Sequence, residues 1–244
     1  MKRVFLISAW FLLFSIANLS WTTAKGIKDS DNIYPALTDS AYVSIDVEAA
    51  TIYNELSLQE KGLSQDAFEY AYRGYRKLLD KQMIKQPGYL TICDFSQSSN
   101  NKRLYLIDLN NNELMVHTYV AHGRNSGAEF ATRFSNKPSS LQSSLGFYVT
   151  EDTYFGEHGL SLKINGVEPG YNNNALRRAI VVHGADYIGE RWLNNSDYMG
   201  RSYGCPAIPS EDRDTIINTI KNGTCLFIYH PSASYLRGSK LLNG

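Results

Sequence analysis

"KRLYLIDLNNNELMVHTYVAHG", Lys102 to Gly123, alternates apolar and polar side chains around a run of three asparagines. Leu114, Val116, Thr118 and Val120 alternate with Glu113, Met115, His117 and Tyr119. A period of two puts the first set on one face of a pleated strand and the second on the other. Asparagine tolerates turn backbone, so residues 110–112 read as a hairpin loop. Upstream, "YLTICDFS" from Tyr89 is a further strand. Downstream, the Ser-rich "FSNKPSSLQSSLGFYVT" runs into a short strand at Gly146 to Thr150. "GLSLKING" and "RRAIVVHG" follow, and "TCLFIYH" is expected to close the sheet. Between the last two, "PSEDRDTIINTIKNG" reads as a short helix with Ser210 as its cap and Ile216, Ile217 and Ile220 on its inner face. Many short strands with turns between them predict a mostly β (α+β) domain, a sandwich or barrel-like sheet, over 89–235 with helices at its margin.

Ahead of this domain the pattern changes. "GLSQDAFEYAYRGYRKLLDKQMI" places Phe68, Tyr72, Tyr75, Leu79 and Met83 at spacings of three and four, a helical stripe. Ser64 is its candidate N-cap, and Pro87 with Gly88 ends it. A helical segment is therefore expected over 51–88, preceded by a polar linker over 25–50. The first 24 residues, with Lys2 and Arg3 ahead of an apolar stretch, have the layout of a secretory signal peptide cleaved after Ala24. An uncleaved anchor is the other reading, since Val4 to Trp21 is long for such a segment.

The chain has 24 basic and 24 acidic residues, and losing Lys2 and Arg3 leaves 22 against 24, a net of −2. That balance recommends neither nucleic acid nor an anionic membrane as a partner. Three cysteines do not make a disulfide scaffold. Cys93 and Cys225 lie in strand-like runs, as buried thiols or as a pair in an oxidising compartment.

Cys205 is different, because its neighbours in "GRSYGCPAIP" are turn residues. A thiol is a useful nucleophile only as thiolate, which needs a base or a positive neighbour. His183, ending the apolar run "AIVV", can be that base. The Gly184 carbonyl could hold one imidazole nitrogen, and Gly204 permits a tight turn whose N–H groups face one way. Arg201, four residues before the cysteine, could favour the thiolate or bind a carboxylate. Taken singly, these residues read more readily as an inert loop cysteine and a core histidine.

The longer phrases say more. "HG" followed by "S-x-G-C", together with "VAHGRNSG", "FSN", "SSLGFYVTEDTYFGEHGLSL" and "GRSYGCPA", resembles the murein L,D-transpeptidase catalytic domain family of the YkuD-type superfamily. The resemblance runs from about Ser64 to Tyr229 and implies an L,D-transpeptidase-like β sandwich. It implies Cys205 as nucleophile, His183 as base and then acid, and Gly184 as its orienting backbone. It implies the N–H groups of Tyr203, Gly204 and Cys205 as the oxyanion site. The substrate would be peptidoglycan stem peptides, the product a 3–3 cross-link with release of D-alanine, and the location a bacterial periplasm or envelope. Two departures stand out: Tyr203 replaces a histidine of the better-known branch, and Pro206 with Ala207 replaces a branched residue and a polar one. They leave open an L,D-carboxypeptidase, or a non-catalytic peptidoglycan-binding protein. Arg201, Ser202, His122, Ser135 and Asn136 are candidate substrate contacts. For His122 and His158, each before a glycine, the plainer reading is a solvated turn histidine, and for the Ser and Asn residues it is turn building. No H-E-x-x-H or similar ligand spacing occurs, so neither metal nor cofactor is expected.

Overall fold

The computed structural model describes residues 45–243. The expected signal peptide, and the linker up to residue 44, lie outside the described residues. The linker boundary drawn at 50 falls inside a helix, α1, Ile45–Glu55. Helix α2 spans Gln65–Asp80, and the Ser64 hydroxyl caps it by accepting from the Ala67 N–H at 3.2 Å. Its buried face is Phe68, Ala71, Tyr72, Tyr75 and Leu78. Leu79 is only partly covered and Met83 is exposed, so the stripe turns one position away from the expected one. The reason is Gly74, which lets the helix lie directly on Phe147: a Cβ there would stand 2.0 Å from Phe147 Cζ. Arg73 and Arg76 pair with Asp46 and Glu48 and tie α2 to α1.

The strands are β1 Tyr89–Asp94, β2 Leu104–Asp108, β3 Glu113–Thr118, β4 Gly146–Gly156, β5 Gly159–Gly166, β6 Val181–Ala185, β7 Ala207–Pro209 and β8 Cys225–Tyr229. They form one sheet in the order β3-β2-β1-β8-β4-β5-β6-β7. The pairs β1–β8 and β6–β7 are parallel and the others antiparallel. Beyond β3, Ala121 bridges to Ala207 of β7, its N–H donating at 2.8 Å, so the two edges of the sheet meet in a barrel-like closure. The expected mostly β domain with marginal helices is what the chain forms.

Three local expectations change. The last strand lies in the middle of the sheet, not at its close, and all five of its residues are buried. Coverage on both faces explains why "CLFIY" reads as an unbroken apolar run. Second, β4 runs on to Gly156 past a bulge between Thr150 and Thr153, making a long hairpin with β5. Its outer half is mostly exposed, so no apolar alternation marks it. Third, helix α4, Arg213–Ile220, starts after Asp212 and not at Ser210, whose hydroxyl donates to Asp186 instead. Its buried face is Ile216, Ile217 and Ile220. Cys93 and Cys225 are free and buried.

Short helices complete the described chain: α3 Glu190–Leu193 beside the β6–β7 connection, and α5 Ala233–Gly238 and α6 Lys240–Asn243 at its end.

Candidate active site

The cysteine stands on a turn built by one hydroxyl. Ser202 Oγ accepts from the Gly204 N–H at 3.0 Å and donates to the Cys205 carbonyl at 2.6 Å. Gly204 has φ +128, and a Cβ there would sit 2.8 Å from the Gln142 carbonyl, so only glycine fits without strain. Ser143 Oγ donates to the Gly204 carbonyl at 3.2 Å. The far side is held by main chain: Ser202 N–H donates to the His122 carbonyl at 3.0 Å, and Arg124 N–H to the Ser202 carbonyl at 2.8 Å.

This turn corrects the oxyanion trio. The Gly204 N–H is already taken by Ser202 Oγ. Among the described residues the Tyr203 N–H has no acceptor, and the Cys205 N–H lies where it favours its own thiolate.

Cys205 Sγ is held between the Val181 N–H, which donates to it at 3.5 Å, and the Ala179 carbonyl, to which it donates at 3.7 Å. Burial pushes the thiol above its ordinary value. The Val181 N–H, the Arg178 guanidinium and its own backbone N–H pull the other way. Arg178 is the cation the sequence reading missed. Its guanidinium donates to the Ser135 and Gln142 carbonyls at 2.8 and 2.6 Å and to the Ser144 and Ser140 hydroxyls. Among the described residues no carboxylate pairs with it. Neutral dipoles fix its position without cancelling its charge, so its field still reaches the sulfur.

His183 lies on β6, opposite Ser161 of β5 and Ala207 of β7. The side chain is buried, and Nδ1 lies 2.9 Å from the Gly184 carbonyl. A carbonyl only accepts, so the proton sits on Nδ1 and Nε2 is left as the lone-pair nitrogen. Burial lowers the His183 pKa, the Gly184 bond opposes this, and the neighbouring His158 lowers it further. The ring of His158 stacks on it, centroids 4.3 Å apart at 20°. His183, His158, Arg178 and Cys205 line one cleft of about 1120 Å³, walled by Tyr154, Tyr187, Trp192, Tyr198 and Tyr203.

The chain matches the model of the family described as "L,D-transpeptidase catalytic domain" over residues 59–229. It belongs to that family. The matched stretch takes in α2 and all eight strands. No curated protein matches the chain. Solved structures similar to it include an L,D-transpeptidase from Mycobacterium smegmatis, at 10% identity over 59% of this chain and 59% of that one, TM-score 0.36. One from Mycobacterium tuberculosis H37Rv shares 14% identity over 59% of this chain and 58% of that one, TM-score 0.35. One from Stackebrandtia nassauensis shares 14% over 75% and 77%, TM-score 0.35. The chain spans about three fifths of the length of the first two.

Within this L,D-transpeptidase domain the remaining candidates separate. Arg201 and Tyr203 line the cleft, Tyr203 being 68% exposed at its mouth. Arg201 donates to the Gly127 carbonyl at 3.1 Å and lies over Tyr198, while Arg124 lies over Tyr203. The cation beside the thiol is therefore Arg178, not Arg201. His122 is no groove or solvated turn residue: it is fully buried, with Arg103 Nη2 2.8 Å from its Nδ1. Burial, then the Arg103 charge, pushes its pKa down to about 3. Ser135 and Asn136 do not line the cleft; Ser135 holds Arg178, and Asn136 bonds Asn173 and Asn174. Among the described residues no group of three His, Cys, Asp or Glu is gathered to hold a metal ion.

Proposed function

We propose that this chain is a cysteine acyltransferase of bacterial peptidoglycan, an L,D-transpeptidase that forms 3–3 cross-links through a thioester on Cys205. The observation that carries this is the single cleft holding a partly exposed thiol, an imidazole with its Nε2 lone pair available, and an unpaired guanidinium beside the sulfur. Family membership supports peptidoglycan chemistry, and with it action in the cell envelope. Among the described residues no helix is long and apolar enough to cross a membrane.

The reaction runs in two halves. Cys205 Sγ attacks the carbonyl carbon of the third stem residue, a diamino acid, as its proton passes to His183 Nε2. The negative charge on the tetrahedral oxygen is met by the Tyr203 and Cys205 N–H groups, with the Arg178 charge nearby. The C–N bond to the terminal D-alanine breaks, and that amine leaves with the proton from His183. A side-chain amine of a second stem then attacks the thioester carbonyl, gives a proton to His183, and returns the thiol. Water in place of the amine makes the same site an L,D-carboxypeptidase.

The test is intact mass of the protein after exposure to a carbapenem, beside Cys205→Ala, followed by muropeptide analysis. A covalent adduct on the parent only, and a 3–3 dimer that requires Cys205, is the expected result. Shortened stems without dimer give the hydrolase. No adduct and no turnover of a tetrapeptide stem returns the cleft to a binding role.

A further inference from the structure

His158 takes no part in the chemistry above, yet it is placed with care. It lies in the turn of the β4–β5 hairpin, where Gly156 pairs with Gly159, and it is exposed. Its ring nevertheless lies nearly flat on that of His183. An exposed turn side chain gives up rotamer freedom to hold such a stack, so the stack must be supported by what surrounds it. The hairpin tip supplies that support. Gly159 has φ +72, and a Cβ there would stand 2.8 Å from Arg213 Nη1, so the turn closes against a side chain of α4. Ser161, just inside the hairpin, is the β5 partner of His183, so sheet register delivers the turn to the imidazole.

We propose that His158 is a positioning residue for His183: its ring covers one face of that imidazole, keeps the Nε2 edge open to the cleft, and opposes a second positive charge on the pair. This rests on the reading of His183 as the base. A charge on His183 would face the His158 ring across the stack, which adds to burial in favouring the neutral base. The charged groups lining the clefts on either side are Glu157 on the turn, Asp186 after β6, Arg213 on α4, and Arg124, Arg178, Asp197 and Arg201, with Cys205, Tyr154, Tyr187, Tyr198 and Tyr203 as the other titratable groups.

The test uses the full chain, with His158→Phe and His158→Ala, and two readouts. The first is a histidine-ring NMR titration. His158→Phe keeps a stacked face but removes the like charge, so His183 protonates at higher pH than in the parent. An unchanged His183 midpoint overturns the coupling. The second is the pH profile of Cys205 acylation by a carbapenem. His158→Phe keeps most of the rate, with its acid limb moved to higher pH, while His158→Ala loses about tenfold through a loosened base. Identical profiles in all three proteins overturn the positioning role. A parent protein that neither takes the carbapenem nor turns over a tetrapeptide stem defeats the acyl-transfer reading, while the NMR titration still decides the stack.

Discussion

At the residue scale, the Ser202 hydroxyl gives the clearest case, because it both accepts and donates within one turn. Ser202→Ala leaves the buried Gly204 N–H and the Cys205 carbonyl without their partner, a cost of about 1–3 kcal/mol. Acylation of Cys205 should slow by about tenfold or more, since the turn aims the sulfur and its N–H groups. Rates measured beside circular dichroism separate this from unfolding. The pH dependence has a definite sign. Burial lowers His183, so it stays a neutral base to below its ordinary 6.5, and the acid limb of the rate should lie below that value. Burial raises the thiol, so the resting pair is neutral and the rate should hold through the neutral range. An acid limb above pH 6.5 in a kcat/KM profile defeats this. Cys205 and His183 stand out as candidates in the sequence by their turn and strand-end neighbours, and as a pair by the longer phrases around them. Arg178 is not, because nothing beside it in the chain marks it; its role comes from the serine loop that folds around it.

At the level of elements, Gly74 shows packing overruling propensity. Alanine is favoured over glycine in a helix by about 1 kcal/mol. At this position the new methyl would meet Phe147, part of a stacked pair with Phe227 in the middle of the sheet. Overpacking of this kind costs about 1–3 kcal/mol, so Gly74→Ala should lower the urea midpoint with little change in m-value. The β4–β5 hairpin carries a similar lesson. Its inner half, Gly146–Thr150, is covered on both faces like a core strand, whereas its outer half is open, and pairing with β5 makes it a strand.

On the scale of the whole molecule, Glu168 joins the C-terminal helices to the sheet. Its carboxylate accepts from the Phe147 N–H and the Tyr235 hydroxyl, each at 2.8 Å, and from Ser239. Tyr235→Phe removes one bond to a buried charge and should cost about 2 kcal/mol, read as a lower Tm with acylation unchanged. Acid should loosen the entire fold. His122, pushed down to about 3, and His183 bind fewer protons folded than unfolded. The His122 contribution to stability is complete above about pH 6.5 and falls as pH drops from there toward about 3, and His183 acts in the same direction. Glu168, raised by burial, offsets part of this. Denaturant midpoints at pH 7 and pH 4.5 check the direction. The chain's own order of residues determined the class of fold, the capped helix before it, and the choice of Cys205 and His183 as candidates, because period, capping and turn chemistry are local. The position of β8 in the sheet, the burial of His122, and the meeting of Arg178 and His158 with the site were decided only by tertiary structure. Each depends on groups far apart in sequence, and their energies exist only once the sheet closes and excludes water.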